Sequence, residues 1–173
     1  IDQVPPELRN RVVNILQSAT PVLPAPEKSI ATFDVSILGH LRTVKNPMLL
    51  AEASRGLPAK SRIRILQAGD ILEEPYRKAV EAETQTNPRY QYLGQLDRQS
   101  TAGLIASSHV MAITSVSEGG ARVVGEAIVN FTPVLSTKMD GSVGMLGEDY
   151  PGYFPVGDSH ALTELLIRCE SDL

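Results

Sequence analysis

From Phe33 onward, short apolar runs alternate with stretches at helical spacing, and this alternation admits few folds. The first strand reads as Asp34–Leu38, and a helix follows from near Asn46-Pro47, with Asn46 as cap and Pro47 in the first turn, to about Arg55-Gly56. Ile63–Gln67 is the second strand, followed by a charged helix over Glu73–Thr84 that Asn87-Pro88 terminates. Tyr90–Leu93 is a short third strand and Asp97–Ser107 the next helix, with Asp97 near its start. His109–Thr114 is the fourth strand, Ser115–Gly120 a turn, and Ala121–Asn130 a helix ending before Pro133. Pro133–Ser136 is the fifth strand, Gly141–Gly147 a loop or short helix, Gly152–Val156 the sixth strand, and Ser159–Cys169 a closing helix.

Strands joined through helices run parallel, so the expectation is an α/β fold: an open parallel sheet of about six strands with helices on both faces. Such sheets bind ligands outside the carboxyl ends of their strands. Gly39, Gly69, Gly94 and the Gly119-Gly120 pair all follow strands and mark that edge. No G-x-G-x-x-G follows the first strand, which weakens a dinucleotide reading.

Residues 1–30 differ in character. Pro5, Pro6, Pro21, Pro24 and Pro26 bracket one apolar run, Val12–Leu16, that fits a strand or a helix end. The chain therefore divides into 1–30, a connector or remnant of a missing N-terminal domain, and 31–173, a ligand-binding domain. A net charge of −4 argues against a general nucleic-acid surface while leaving room for a local basic pocket. Cys169 is the single cysteine, so no internal disulfide forms, no Cys/His spacing suggests a metal site, and a cytoplasmic setting is expected. No stretch approaches the roughly 20 apolar residues of a membrane span.

Two constellations bear on chemistry. Glu118 precedes the helix after the fourth strand and Glu126 lies about two turns inside it, on the order of 12 Å away along the axis. That spacing excludes a paired-acid mechanism and suits two ends of one extended ligand. Between them lie a helix N-terminus and the amides of Gly119, Gly120 and Ala121, all favourable to an anionic group. The plain alternative is that Glu118 complements the helix dipole and Glu126 is solvated. Two carboxylates would also repel a phosphate, so a separate cation is required. The turn after the first strand supplies candidates in His40, Arg42 and Lys45 at the same sheet edge, where Lys45 and Arg42 would neutralise a diphosphate as its charge develops.

Together, Gly39-x-Leu41-x-x-x-Lys45 and Glu118-Gly119-x6-Glu126-Ala127 resemble the C-terminal half of GT-B glycosyltransferases of the group 1 type, family four. The resemblance covers roughly Phe33–Leu166 and extends to Asn130–Val134, where the family has a small residue, any residue, Pro and Val. It implies a Rossmann-like half of a GT-B fold that binds a nucleotide-sugar donor, with a UDP-sugar as substrate and no separate cofactor. The acceptor would sit on an N-terminal domain of the same protein. By the same resemblance Glu118 meets the sugar hydroxyls, Glu126 the ribose, Lys45 the diphosphate, the Gly119-Gly120 amides the distal phosphate, and the main chain of Gly94–Leu96 the base. The chain departs from the family at His40, where an Arg usually follows the glycine; either Arg42 substitutes or the diphosphate is held differently. The wording GHLRTVKNP, SEGGARVVGEA and LGEDYPGYFPVGD is also similar to a narrower branch, the selenosugar synthases of selenoneine biosynthesis, which join selenophosphate to a UDP-activated sugar.

Asp70, His109, Cys169 and Met139–Ser142 are secondary polar candidates, each with an ordinary structural reading as a cap, a core or edge residue, a buried thiol and a turn. Two rival functions remain open on the residues alone: a GT-B-like nucleotide-sugar epimerase, and a non-catalytic α/β binding domain in which Glu118, Glu126 and Lys45 face different sides.

Overall fold

A computed structural model describes residues 4–13 and 17–172. The strands are β1 (Phe33–Leu38), β2 (Ile63–Ala68), β3 (Tyr90–Tyr92), β4 (Val110–Ile113), β5 (Val134–Thr137) and β6 (Tyr153–Phe154). The helices are α1 (Leu49–Arg55), α2 (Pro75–Thr86), α3 (Arg98–Ser107), α4 (Arg122–Val129), α5 (Asp140–Leu146) and α6 (Ser159–Asp172). All strand pairs are parallel, in the order β3-β2-β1-β4-β5-β6. The order reverses between β1 and β4, which creates the crevice where open α/β sheets take ligands.

Both faces of the sheet are covered, so its central strands read as continuous apolar runs. In β4 the alternation assigns Val110 and Ala112 to one face and Met111 and Ile113 to the other. The first face packs against α1 and α6 through Leu49, Leu50, Leu162 and Leu166, with Val80 of α2 and Phe154 in the same core. The second packs against α3 and α4 through Ile105, Val124 and Ala127, with Met139 and Met145 alongside. No described residue of 4–30 is buried, so the core is built from the sequence beginning at Phe33.

Most expected boundaries agree within two residues, and α5 resolves the loop-or-helix alternative as a helix. Two differ in substance. Asn46 does not cap a helix: Thr43–Lys45 form a 3-10 turn that Asn46 closes in the left-handed region at φ 43°, and α1 starts only at Leu49. Asn tolerates that conformation where most residues do not. The closing helix runs on to Asp172. Of the apolar run Val12–Leu16, Val12 and Val13 are exposed and irregular, and 14–16 lie outside the described residues. Among the described residues no helix is long and apolar enough to cross a membrane.

Opposite the ligand edge, His109 stacks on Phe33 at 4.7 Å between ring centroids, and its Nδ1 accepts the Asp34 backbone N–H at 3.0 Å. Burial, helped by the charges of Lys28 and Arg62 against the pull of Asp34, holds its pKa below the ordinary value. Folding is therefore favoured with His109 neutral. This contribution is complete above the unfolded value of about 6.5 and is lost as pH falls from there through the folded value. Denaturation midpoints should drop on acidification across this window, and His109→Gln should flatten that part of the profile.

Candidate functional site

Three strand-end loops meet at the crevice between β1 and β4. The Val116 amide donates to the Val44 carbonyl at 2.8 Å, and Thr114 Oγ1 donates to the Lys45 carbonyl at 2.9 Å, tying the loop after β4 to the loop after β1. The β2 loop joins where Gly69, at φ 148°, packs its α-carbon against the Gly39 carbonyl. Only a residue without a side chain fits there, since a Cβ would lie 2.0 Å from that oxygen.

The loop carrying Lys45 is held from several sides. Glu73 accepts from the Thr43 amide at 3.0 Å and its hydroxyl at 2.6 Å. Gln67, 1% exposed, donates from Nε2 to the Pro47 carbonyl at 2.9 Å while its Oε1 accepts the Tyr90 hydroxyl at 2.6 Å. Burial raises the Tyr90 phenol above its ordinary pKa, aided by Glu83, so the group remains a proton donor across neutral pH. A cation held this way arrives at a ligand with little reorganisation.

Lys45 Nζ lies 2.6 Å from Glu118 Oε1, which also accepts from the Ser115 hydroxyl. Their side chains are 24% and 12% exposed, so the pair is shielded yet still reachable. Gly39, Lys45, Gln67, Ser115 and Glu118 line one small cavity at the strand ends. The turn carrying Glu118 is itself braced by α5, where a Cβ on Gly141 would approach the Glu118 carbonyl to 2.1 Å. Glu126 lines a different cavity from Glu118, beside α3, and pairs with Arg122 Nε at 3.0 Å.

The other expected site residues lie at the same edge with varied surroundings. His40 is exposed and its Nδ1 accepts the Asp70 amide at 3.1 Å, which fixes one loop to the next. Asp70 caps locally, accepting from the Ile71 amide at 2.9 Å. Arg42 is exposed and, among the described residues, makes no ion pair. Gly94 is left-handed at φ 71° and accepts from the Gly69 amide, and Leu96 is half-buried just before Asp97, which caps α3 by accepting from the Ser100 amide at 2.7 Å. Gly119 and Gly120 are exposed ahead of α4. Cys169 packs against the core of the α1/α6 face, and burial pushes its thiol up. Among the described residues no group of three His, Cys, Asp or Glu is placed to hold a metal ion.

Sequence reasoning missed Ser115, Thr114, Gln67 and Arg122. The Arg122/Glu126 pair was available from its i, i+4 spacing. Thr114 and Gln67 act across loops that only the sheet order brings together, whereas Ser115 bonds Glu118 three residues on in the same turn.

No curated protein sequence matches the chain significantly. Among solved structures, HepE from Anabaena in complex with UDP and glucose superposes with a TM-score of 0.74 at 24% identity, covering 82% of this chain and 40% of that one. A Burkholderia xenovorans alpha,alpha-trehalose-phosphate synthase (UDP-forming), solved with glucose-6-phosphate, superposes at 0.69 with 17% identity, covering 81% and 36%. The catalytic domain of cholesterol-alpha-glucosyltransferase from Helicobacter pylori superposes at 0.66 with 15% identity, covering 81% and 87%. The chain thus spans 40% of the length of the HepE chain. The family described as glycosyl transferases group 1 matches residues 27–172, and the chain belongs to that family.

Proposed function

We propose that this chain is the donor-binding half of a glycosyltransferase that takes a nucleotide-diphosphate sugar, specifically a UDP-sugar, and transfers its glycosyl group to an acceptor held by an N-terminal domain. The observation that carries the reading is the shielded Lys45–Glu118 pair at the crevice between β1 and β4. A cation for the diphosphate and a carboxylate for sugar hydroxyls meet there in a chain of the group 1 family. That HepE was solved with UDP-glucose in one structure and UDP in another supports the choice of nucleotide. The 3-10 turn that closes on Asn46 at Lys45 aims one cation into the cavity, while exposed Arg42 is free to reach a phosphate from the rim.

In this reading Lys45 and Arg42 offset the charge that grows on the leaving diphosphate. Glu118 orients the sugar, Glu126 takes the ribose hydroxyls, and the amides of Gly119 and Gly120 meet the distal phosphate. Residues 1–30 are the interdomain connector, and selenophosphate is the acceptor suggested by the likeness to selenosugar synthases. The setting is cytoplasmic, where the lone thiol stays reduced.

Calorimetry with UDP, GDP, ADP and NAD on this chain tests the nucleotide site. UDP should bind best and raise the melting temperature by mass action. A folded chain that ignores UDP at millimolar concentration would refute the reading. On the full-length protein, an epimer of the donor formed without acceptor would move the assignment to an epimerase.

A further inference from the structure

The segment ahead of the family match packs beside Glu126. Ser18, Ala19, Thr20, Pro21 and Val22 lie across the gap between α3 and α4 and, with the two helices, enclose a groove of about 340 Å³. Arg98, Gln99 and Ala102 form one wall, and Arg122, Glu126 and Asn130 the other. The helix starts on both walls, Arg98 and Arg122, mark the carboxyl edge of the sheet, so the groove reaches the ligand side.

Two contacts seat the strap on α4. The Val22 amide donates to Asn130 Oδ1 at 2.8 Å, at the far end of the helix. At its middle, Gly125 lets the strap approach: a Cβ there would sit 3.8 Å from both Ala19 Cβ and the Gln17 carbonyl. Glycine is a poor helix former, and here the missing side chain makes room for main chain. Under this roof Glu126 is only 15% exposed, although Arg122 beside it is 48% exposed. The volume falls within the roughly 300–1,000 Å³ range of small-molecule pockets, and the lining mixes amide, hydroxyl, guanidinium and carboxylate with apolar Ala and Pro, which suits a polar base with its ribose.

We propose that residues 17–22 are a built-in wall of the nucleoside subsite, so that the segment before β1 contributes to nucleotide affinity by closing the α3–α4 groove over Glu126. The strap does so without being part of the sheet. This rests on the nucleotide reading above, and it adds a second source of affinity separate from the diphosphate cavity at Lys45.

The test compares UDP with inorganic diphosphate by calorimetry on the unmodified chain, Gly125→Ala and Gly125→Leu. Alanine fits the existing space and should leave UDP binding unchanged. Leucine lifts the strap and should weaken UDP about tenfold while leaving diphosphate binding at the Lys45 cavity unaltered. Asn130→Ala, which releases the strap's other anchor, should weaken UDP in the same selective way. Equal UDP affinity in Gly125→Leu and the unmodified chain overturns the strap and leaves the nucleotide reading intact. Tighter UDP binding in Gly125→Leu also overturns it, since the strap would then obstruct the groove. Parallel loss of UDP and diphosphate would mean general disruption and count against a nucleoside-specific wall. An unmodified chain that binds neither ligand defeats the nucleotide reading itself.

Discussion

Lys45→Ala should weaken UDP binding by about 100-fold, whereas Glu118→Gln should leave UDP binding intact or improve it. Among the described residues Lys45 is the only cation lining the cavity at the β1/β4 crevice, and a charge-assisted hydrogen bond is worth roughly 1.5–3 kcal/mol. Its removal does further damage. Glu118, with its side chain 12% exposed, would keep its carboxylate at the site with, among the described residues, only the Ser115 hydroxyl as a hydrogen-bond partner, facing the incoming phosphates as a like charge. At about 1.4 kcal/mol per factor of ten, these effects together reach the 100-fold level.

Glu118→Gln has the opposite sign for UDP because it removes the anion that competes with the ligand for Lys45. The glutamine loses the charge that would grip sugar hydroxyls, so the advantage of a UDP-sugar over UDP should shrink. Titration of both ligands against both variants checks the pair. Equal losses of UDP in Lys45→Ala and Glu118→Gln would show that the pair merely supports the fold.

The sheet was legible because parallel strands covered on both faces leave unmistakable runs: all of Val110–Ile113 is buried. The carboxyl edge of the sheet was legible because Gly39, Gly69, Gly94 and Gly120 take positive φ in the turns that follow strands. The local form of the Lys45 loop was not. Asn46-Pro47 carries a sound local signal for a helix start, yet the partners that decide its shape come from elsewhere: Thr114 reaches the Lys45 carbonyl from 69 residues away and Gln67 reaches Pro47 from 20. Tertiary hydrogen bonds to main-chain carbonyls outweighed a local capping preference. The strap was hidden for a similar reason. Its residues are exposed or half-buried in a stretch bracketed by prolines, which marks a connector, and only the small residue at Gly125 hinted that main chain passes close by.

Gly69→Ala should destabilise the domain by about 3–5 kcal/mol, the largest stability loss expected of any single methyl addition at the site. Two costs combine. At φ 148° an alanine carries roughly 1–3 kcal/mol of backbone strain, and its Cβ would stand 2.0 Å from the Gly39 carbonyl and 3.1 Å from the His40 amide nitrogen. Those neighbours are main chain, fixed by the Gly39 amide donating to the Ala68 carbonyl at 3.0 Å and the Leu41 amide to the Asp70 carbonyl at 2.8 Å. They cannot rotate away as a side chain would, so overpacking adds a further 1–3 kcal/mol or so. Relief by shifting the β1 turn would carry Gly39 and the Lys45 loop out of register with β4, coupling stability to ligand binding. Gly94→Ala is the internal control. Its φ of 71° is also unfavourable, but no atom lies within 4 Å of the added Cβ, so strain acts alone and the loss should stay near 1–2 kcal/mol. Urea unfolding of both variants separates the two contributions: similar midpoints would mean that the β1 and β2 turns are not in close contact, whereas a much lower midpoint for Gly69→Ala establishes that the crevice is built on that approach.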